Sequence, residues 1–242
     1  AYGRFVEIHG KKAYVTRYGT GAEPTGLAIV DISKPSSPTI LGYWTDSTDD
    51  VYNCAVAEPY VYVRGSNGIK VLDVSNPASI TQVGSLAGTG TGGHLRVYGN
   101  YIFGSGAGNT LYIFSIADPK LPVQMGSVTD ARLTGIYYIS VVGKYCYISV
   151  TDNSGGLVIV DVSNPALPTI VNSYGGSVTF DQVDATNFGN YTQAHVVSGR
   201  YVYINSKQRV FTILDVSDPA NIVLVSATTF APYSFNPVRR LA

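Results

Sequence analysis

The most constraining feature of this 242-residue chain is a motif written nearly five times over. The clearest copies are Leu157-Val158-Ile159-Val160-Asp161-Val162-Ser163-Asn164-Pro165 and Thr212-Ile213-Leu214-Asp215-Val216-Ser217-Asp218-Pro219. Two more run Ala28-Ile29-Val30-Asp31-Ile32-Ser33-Lys34-Pro35 and Lys70-Val71-Leu72-Asp73-Val74-Ser75-Asn76-Pro77. A worn copy, Tyr112-Ile113-Phe114-Ser115-Ile116-Ala117-Asp118-Pro119, replaces the Asp by Ser115. Equivalent positions 31, 73, 115, 161 and 215 lie 42, 42, 46 and 54 residues apart. A period of that length belongs to propellers and solenoids.

Each repeat divides into four short runs rich in Val, Ile and Tyr, bounded by Gly, Asn, Ser and Pro, as strands are. In repeat four these are Ile136–Val142, Tyr145–Val150, Leu157–Val162 and Pro168–Tyr174; in repeat five, Ala194–Ser198, Tyr201–Asn205, Val210–Val216 and Ile222–Ala227. No segment has the period of an amphipathic helix. The third run decides the architecture. Leu-Val-Ile-Val is apolar without alternation, so neither side of that strand faces water. A two-layer sandwich would expose one side and show period two. Radially stacked four-stranded sheets, each covered on both sides, fit instead, and the predicted fold is an all-β, five-bladed β-propeller in a single domain. The blades are expected over residues 4–45, 51–87, 93–128, 135–174 and 192–227, with 228–242 as a C-terminal arm. No spare strand precedes Arg4, so the ring is expected to close by packing rather than by strand exchange.

The string Leu157–Asp161 and its Val-Ser-Asn-Pro continuation resemble the signature of LVIVD-repeat proteins. The resemblance is strong in repeats one, two, four and five and weak in three. It implies a β-propeller of a kind often found on bacterial and archaeal surfaces, and it brings no catalytic motif with it.

Composition narrows the functional classes. Sixteen basic and sixteen acidic residues balance, so there is no electrostatic footprint for nucleic acid or anionic lipid. No stretch is long and apolar enough to insert directly into a membrane. Charged residues make up only 13% of the chain, about half the usual share. Nineteen tyrosines, each a rigid ring with a polar tip, take up surface in their place. Cys54 and Cys146 lack metal-ligand spacing and are expected to be separate buried thiols. The chain opens at Ala1 without a leader, which suggests a processed protein or a fragment.

Asp31, Asp73, Asp161 and Asp215 recur once per repeat, whereas a catalytic group is needed once. They are therefore read as turn-fixing residues whose carboxylates bond nearby amides. With strands labelled A to D outward from the axis, the A–B and C–D turns share one uniform face. The B–C and D–A loops share the other and differ in every repeat, which makes that face the expected binding surface. Alignment on the A–B glycine places Arg4, Tyr52, Gly93, Tyr137 and Gln193 at its axial mouth, followed by Phe5, Asn53, His94, Tyr138 and Ala194.

The candidate ligand contacts are Arg4, Trp44, Tyr52, His94, Tyr137, Tyr191 and Gln193, with a plug for the channel as the plainer role of the mouth residues. His94 and His195 are expected to be buried and hydrogen-bonded. No metal site and no cofactor is predicted. Asp46, Asp49 and Asp50 read as a solvated acidic turn, with calcium as the alternative occupant; Asp181 and Asp184 form a second acidic pair. Asn190-Tyr191-Thr192 fits the glycosylation pattern.

The expected function is a non-catalytic extracellular or surface binding module for carbohydrate or protein. One alternative is a structural subunit of a surface layer, filament or virus particle, a homo-oligomer or larger assembly joined through the C-terminal arm. A hydrolase or lyase with an axial active site is the other.

Overall fold

The computed structural model describes residues 2–19, 25–87, 93–106, 108–151, 156–175, 192–206 and 210–229. Five four-stranded antiparallel sheets account for most of them, each a meander in chain order, and no α-helix occurs among the described residues. Blade one comprises Tyr2–His9, Lys12–Tyr18, Thr25–Asp31 and Thr39–Asp46. Blade two comprises Val51–Ala57, Tyr60–Gly65, Gly68–Asp73 and Thr81–Ala87. Blade three comprises Leu95–Tyr98, Tyr101–Gly106, Thr110–Ser115 and Val123–Thr129. Blade four comprises Ile136–Val142, Tyr145–Val150, Gly156–Asp161 and Thr169–Gly175. Blade five comprises Thr192–Ser198, Tyr201–Ser206, Val210–Asp215 and Val223–Thr229. The fold is a five-bladed β-propeller, as the repeat and its apolar third run require.

The strands start and stop where local chemistry dictates. Four A–B turns begin with a glycine at φ near +58°, a left-handed conformation costly for any residue with a Cβ (Gly10, Gly99, Gly143, Gly199). Blade two uses Glu58-Pro59 at this place. The second residue of every A–B turn then accepts a hydrogen bond from the residue after the motif Asp or Ser. Ile32, Val74, Ile116, Val162 and Val216 donate to the carbonyls of Lys11, Pro59, Asn100, Lys144 and Arg200 at 2.8–2.9 Å. One motif position thus ties the two turns of its blade together, while its apolar side chain closes the bottom of the core in blades two to five.

Packing divides the chain into two compact units, residues 1–107 with 112–125 and residues 108–111 with 126–242. In the first, Tyr14, Leu27 and Ile29 of blade one meet Val51, Cys54, Val61, Val63 and Leu72 of blade two. Tyr62, Ile69 and Val71 on the other side of blade two meet Leu95, Ile102 and Phe114 of blade three. In the second, Tyr147, Leu157 and Ile159 pack against Val202, Ile204 and Leu214. Leu157, Val158, Ile159 and Val160 are each at most 1% exposed, so both sides of that strand are dry.

A glycine in the D strand lets the next blade approach. A Cβ on Gly42 would lie 1.8 Å from the Pro77 carbonyl, and one on Gly84 2.0 Å from that of Lys120. Gly126 meets Pro165 at 2.4 Å in the same way. In blade four Asn172 takes this position and its Nδ2 donates to the Ala220 carbonyl at 2.8 Å. The D strand of one blade therefore rests on the C–D turn of the next, by backbone contact in three cases and a side-chain bond in the fourth.

Both cysteines are free and fully buried, and burial drives the Cys146 thiol well above its ordinary pKa. No helix among the described residues is long and apolar enough to cross a membrane.

Candidate functional site

The uniform face is occupied with its own hydrogen bonds. Asp31, Asp73, Asp161 and Asp215 each accept from the amide two residues on (Ser33, Ser75, Ser163, Ser217) at 2.7–2.9 Å. In the worn repeat Ser115 Oγ accepts from Ala117 N at 3.2 Å. These bonds hold the carboxylates of Asp31 and Asp73 below the usual range. Arg200, ion-paired with Asp215 across the A–B turn, adds to the amide and lowers that carboxyl to about 2. Such groups are committed to turn geometry and are spread one per blade.

The opposite end is where the chain departs from regular pairing. In four blades the A strand carries a β-bulge close to its loop-side end. Gly3 pairs Arg17 and Phe5 pairs Thr16, which leaves Arg4 as the extra residue. Tyr52 is the extra residue between Val51 and Asn53, Tyr137 between Ile136 and Tyr138, and Gln193 between Thr192 and Ala194. These are the four non-glycine residues that sequence alignment placed at the mouth. In blade three the equivalent Gly93 sits at φ +124°, pressed so close to Ser105 that a Cβ would collide with its Oγ. Bulges break the ladder and re-aim a side chain, and they concentrate at barrel rims and functional sites.

In the first unit two bulge residues meet. The Arg4 guanidinium lies over the Tyr52 ring at 4.2 Å and the Tyr18 ring at 5.0 Å. The Tyr52 hydroxyl is 2.7 Å from Ser66 Oγ and donates to Asp50 Oδ2 at 3.4 Å. In the same unit Arg17 lies over the exposed Tyr43 ring at 4.9 Å. Ser66 is held in turn by Asp49, which accepts from Ser66 N at 2.8 Å and Asn67 N at 3.2 Å.

The acidic loop differs from the solvated turn expected of it. Asp46 is 6% and Asp49 8% exposed. Asp46 accepts from Thr48 N and Thr48 Oγ1 and is ion-paired with Lys70. Buried carboxylates must be paired or bonded, and here cross-blade amides and an ammonium fill that need, so the loop is a clasp between the blade one–two connection and blade two. No group of three or more His, Cys, Asp or Glu among the described residues is placed to hold a metal.

Two expected contacts lie deeper than a surface role requires. His94 is 5% exposed, with its ring edge-on to Phe5 at 5.4 Å. Trp44 is half-buried against the blade one–two core, with Lys70 Nζ 5.9 Å from its ring. Sequence alignment located both strands, but the direction of a side chain at a strand end depends on the bulge beside it. Tyr137, by contrast, is 42% exposed in the second unit. Tyr191, Asp181, Asp184 and the Asn190 triplet lie outside the described residues, as does the arm from residue 230; of Gln193 only the backbone is described.

The second unit holds a polar group that sequence reading placed on an inner strand without finding its partners. His195 is buried, with Nε2 2.7 Å from Ser140 Oγ and Nδ1 2.6 Å from Ser149 Oγ, and Tyr138 edge-on at 5.1 Å. Burial lowers its pKa to about 3, so the ring is neutral, donating to one serine and accepting from the other. A base that weak does not activate a serine at neutral pH. The partners sit on the neighbouring blade, 55 and 46 residues away in sequence, and only the packing reveals them.

Solved structures with this architecture are numerous. A protein from Lactobacillus plantarum superposes with a TM-score of 0.76 at 13% identity, covering 94% of this chain and 71% of that one. The periplasmic gluconolactonase of Pseudomonas aeruginosa gives 0.67 at 12% identity, with 95% and 70% covered. The β-propeller domain of Myceliophteria thermophila Cps50 (Swd1) gives 0.66 at 10%, with 94% and 71% covered. At these identities the likeness is one of fold alone. A comparison of the sequence with curated proteins found no match. The LVIVD repeat itself matches residues 4–46, 49–87, 89–130, 137–175 and 189–229, one match to each blade, and the chain belongs to the LVIVD-repeat family.

Proposed function

We propose that this propeller is a non-catalytic binding module that takes a carbohydrate or protein through its loop-bearing face, at an extracellular or particle surface. The observation that carries the reading is the A-strand bulge repeated from blade to blade, at Arg4 and Tyr52 in the first unit and at Tyr137 in the second. The opposite, uniform end of each blade spends its polar groups on its own turns. Tyrosines suit a contact surface because a ring offers area at small entropic cost and a hydroxyl offers a bond.

Two further readings have less to rest on. The gluconolactonase named above is an enzyme on a similar scaffold, but function lives in sites rather than folds. In the Ser140–His195–Ser149 group His195 and Ser149 are buried and the base is weak. A role in assembly through the C-terminal arm rests on residues outside the described set.

Glycan-array and protein pull-down binding tests the proposal. Binding that falls with Tyr52→Ala and with Tyr137→Ala, while Leu167→Ala on the uniform face leaves it unchanged, supports it. Binding untouched by both tyrosine changes removes it.

A further inference from the structure

The described arginines are held in two different ways. Arg96, Arg132 and Arg200 have carboxylate partners in Glu7, Asp130 and Asp215. Among the described residues Arg4 has no carboxylate partner and instead stacks on the faces of Tyr18 and Tyr52. Stacking on ring faces restrains a guanidinium yet leaves its in-plane N–H fork unused, and that fork matches a carboxylate in two parallel bonds. Arg4 is exposed, so its charge has not been spent on holding the fold. The bulge that aims it is one residue from Phe5, which packs into the core, so the strand on which it stands is anchored.

Resting on the binding-module reading above, we infer that Arg4, stacked with Tyr18 and Tyr52, is the carboxylate-recognising point of a site for an acidic saccharide. The surroundings fit a sparse anion. The Arg4 guanidinium stands on two tyrosine rings, one of which carries its hydroxyl to Ser66, and Arg17 on Tyr43 is a second cation in the same unit. No run of Lys and Arg is present to serve a polyphosphate or nucleic acid. A uronic-acid chain supplies one carboxylate per ring, flanked by hydroxyls and apolar sugar faces. Asp50 stands at the margin as a like charge that limits the affinity.

The test is calorimetric titration of the full chain with oligogalacturonate, its methyl ester and poly-L-glutamate at low and moderate salt. Oligogalacturonate is expected to bind, and Arg4→Gln to weaken it about ten-fold or more, the loss of a charged hydrogen bond. Arg4→Lys restores only part, because an ammonium lacks the fork. Asp50→Asn is expected to tighten binding, which a merely structural role for the cluster would not produce.

Equal binding of the methyl ester, or an Arg4→Gln protein that binds the acid unchanged, overturns the inference. So does poly-L-glutamate binding as tightly as the saccharide. If the neutral ester binds and depends on Tyr52 but not Arg4, this inference fails while the binding-module reading stands. If no saccharide or protein binds the loop face at all, both fall.

Discussion

His195 makes the acid stability of this protein calculable. In the folded state its imidazole is fully shielded between Ser140 and Ser149 and titrates at about 3. In the unfolded chain it titrates near its ordinary value of about 6.5. A group with a depressed folded pKa contributes stability that is whole above the unfolded value and is lost as pH falls towards the folded one. Between pH 7 and pH 5 the unfolded chain takes up about three quarters of a proton here and the folded chain takes up almost none. The loss is about 2 kcal/mol over that interval, with a limiting slope of about 1.4 kcal/mol per pH unit.

The assay is urea unfolding followed by circular dichroism at both pH values, in the native protein and in His195→Gln. The amide can bond both serines but does not titrate. Carboxylates with lowered pKa, such as Asp73 and Asp161, contribute equally to both proteins and cancel in the difference. The native protein should lose about 2 kcal/mol more than the variant between pH 7 and 5. Equal losses would refute the claim that the buried ring stays neutral.

Other consequences are as direct. Gly42→Ala puts a methyl group onto the Pro77 carbonyl and should cost about 2 kcal/mol or more by thermal unfolding; an unchanged midpoint would mean the blades do not rest on each other there. Ile159→Ala should cost about 2–5 kcal/mol, whereas Leu167→Ala, 71% exposed, should stay within about 0.5 kcal/mol. Cys54 and Cys146 should resist a thiol reagent in the native protein and react stoichiometrically in guanidinium; rapid native labelling would contradict their burial.

The architecture was legible because each blade repeats one local rule. Leu157–Val160 shows no alternation, and only a strand covered on both sides tolerates that. The motif Asp and the A–B glycine act within a few residues of themselves, so their turns are readable from composition and spacing. Counting back from the A–B turn also picked out Arg4, Tyr52, Tyr137 and Gln193 as equivalent positions, since it reaches the same pleat position in each repeat. Their status as bulges was not readable. A bulge is a property of two strands in register, and the partner residues Arg17, Gly65, Val150 and Ser206 carry no mark of it in the one-dimensional chain.

The chain alone therefore determined the blade count, the four-strand meander and the uniform turn end of each blade, because these follow from short-range chemistry repeated with a period. Tertiary packing decided which polar groups are used up and which are left over. Asp46 and Asp49 became a buried clasp, His195 a neutral ring between two serines, and Arg4 a guanidinium stacked on tyrosines. Each outcome depends on a neighbour from another strand or blade, and sequence distance is silent about such neighbours.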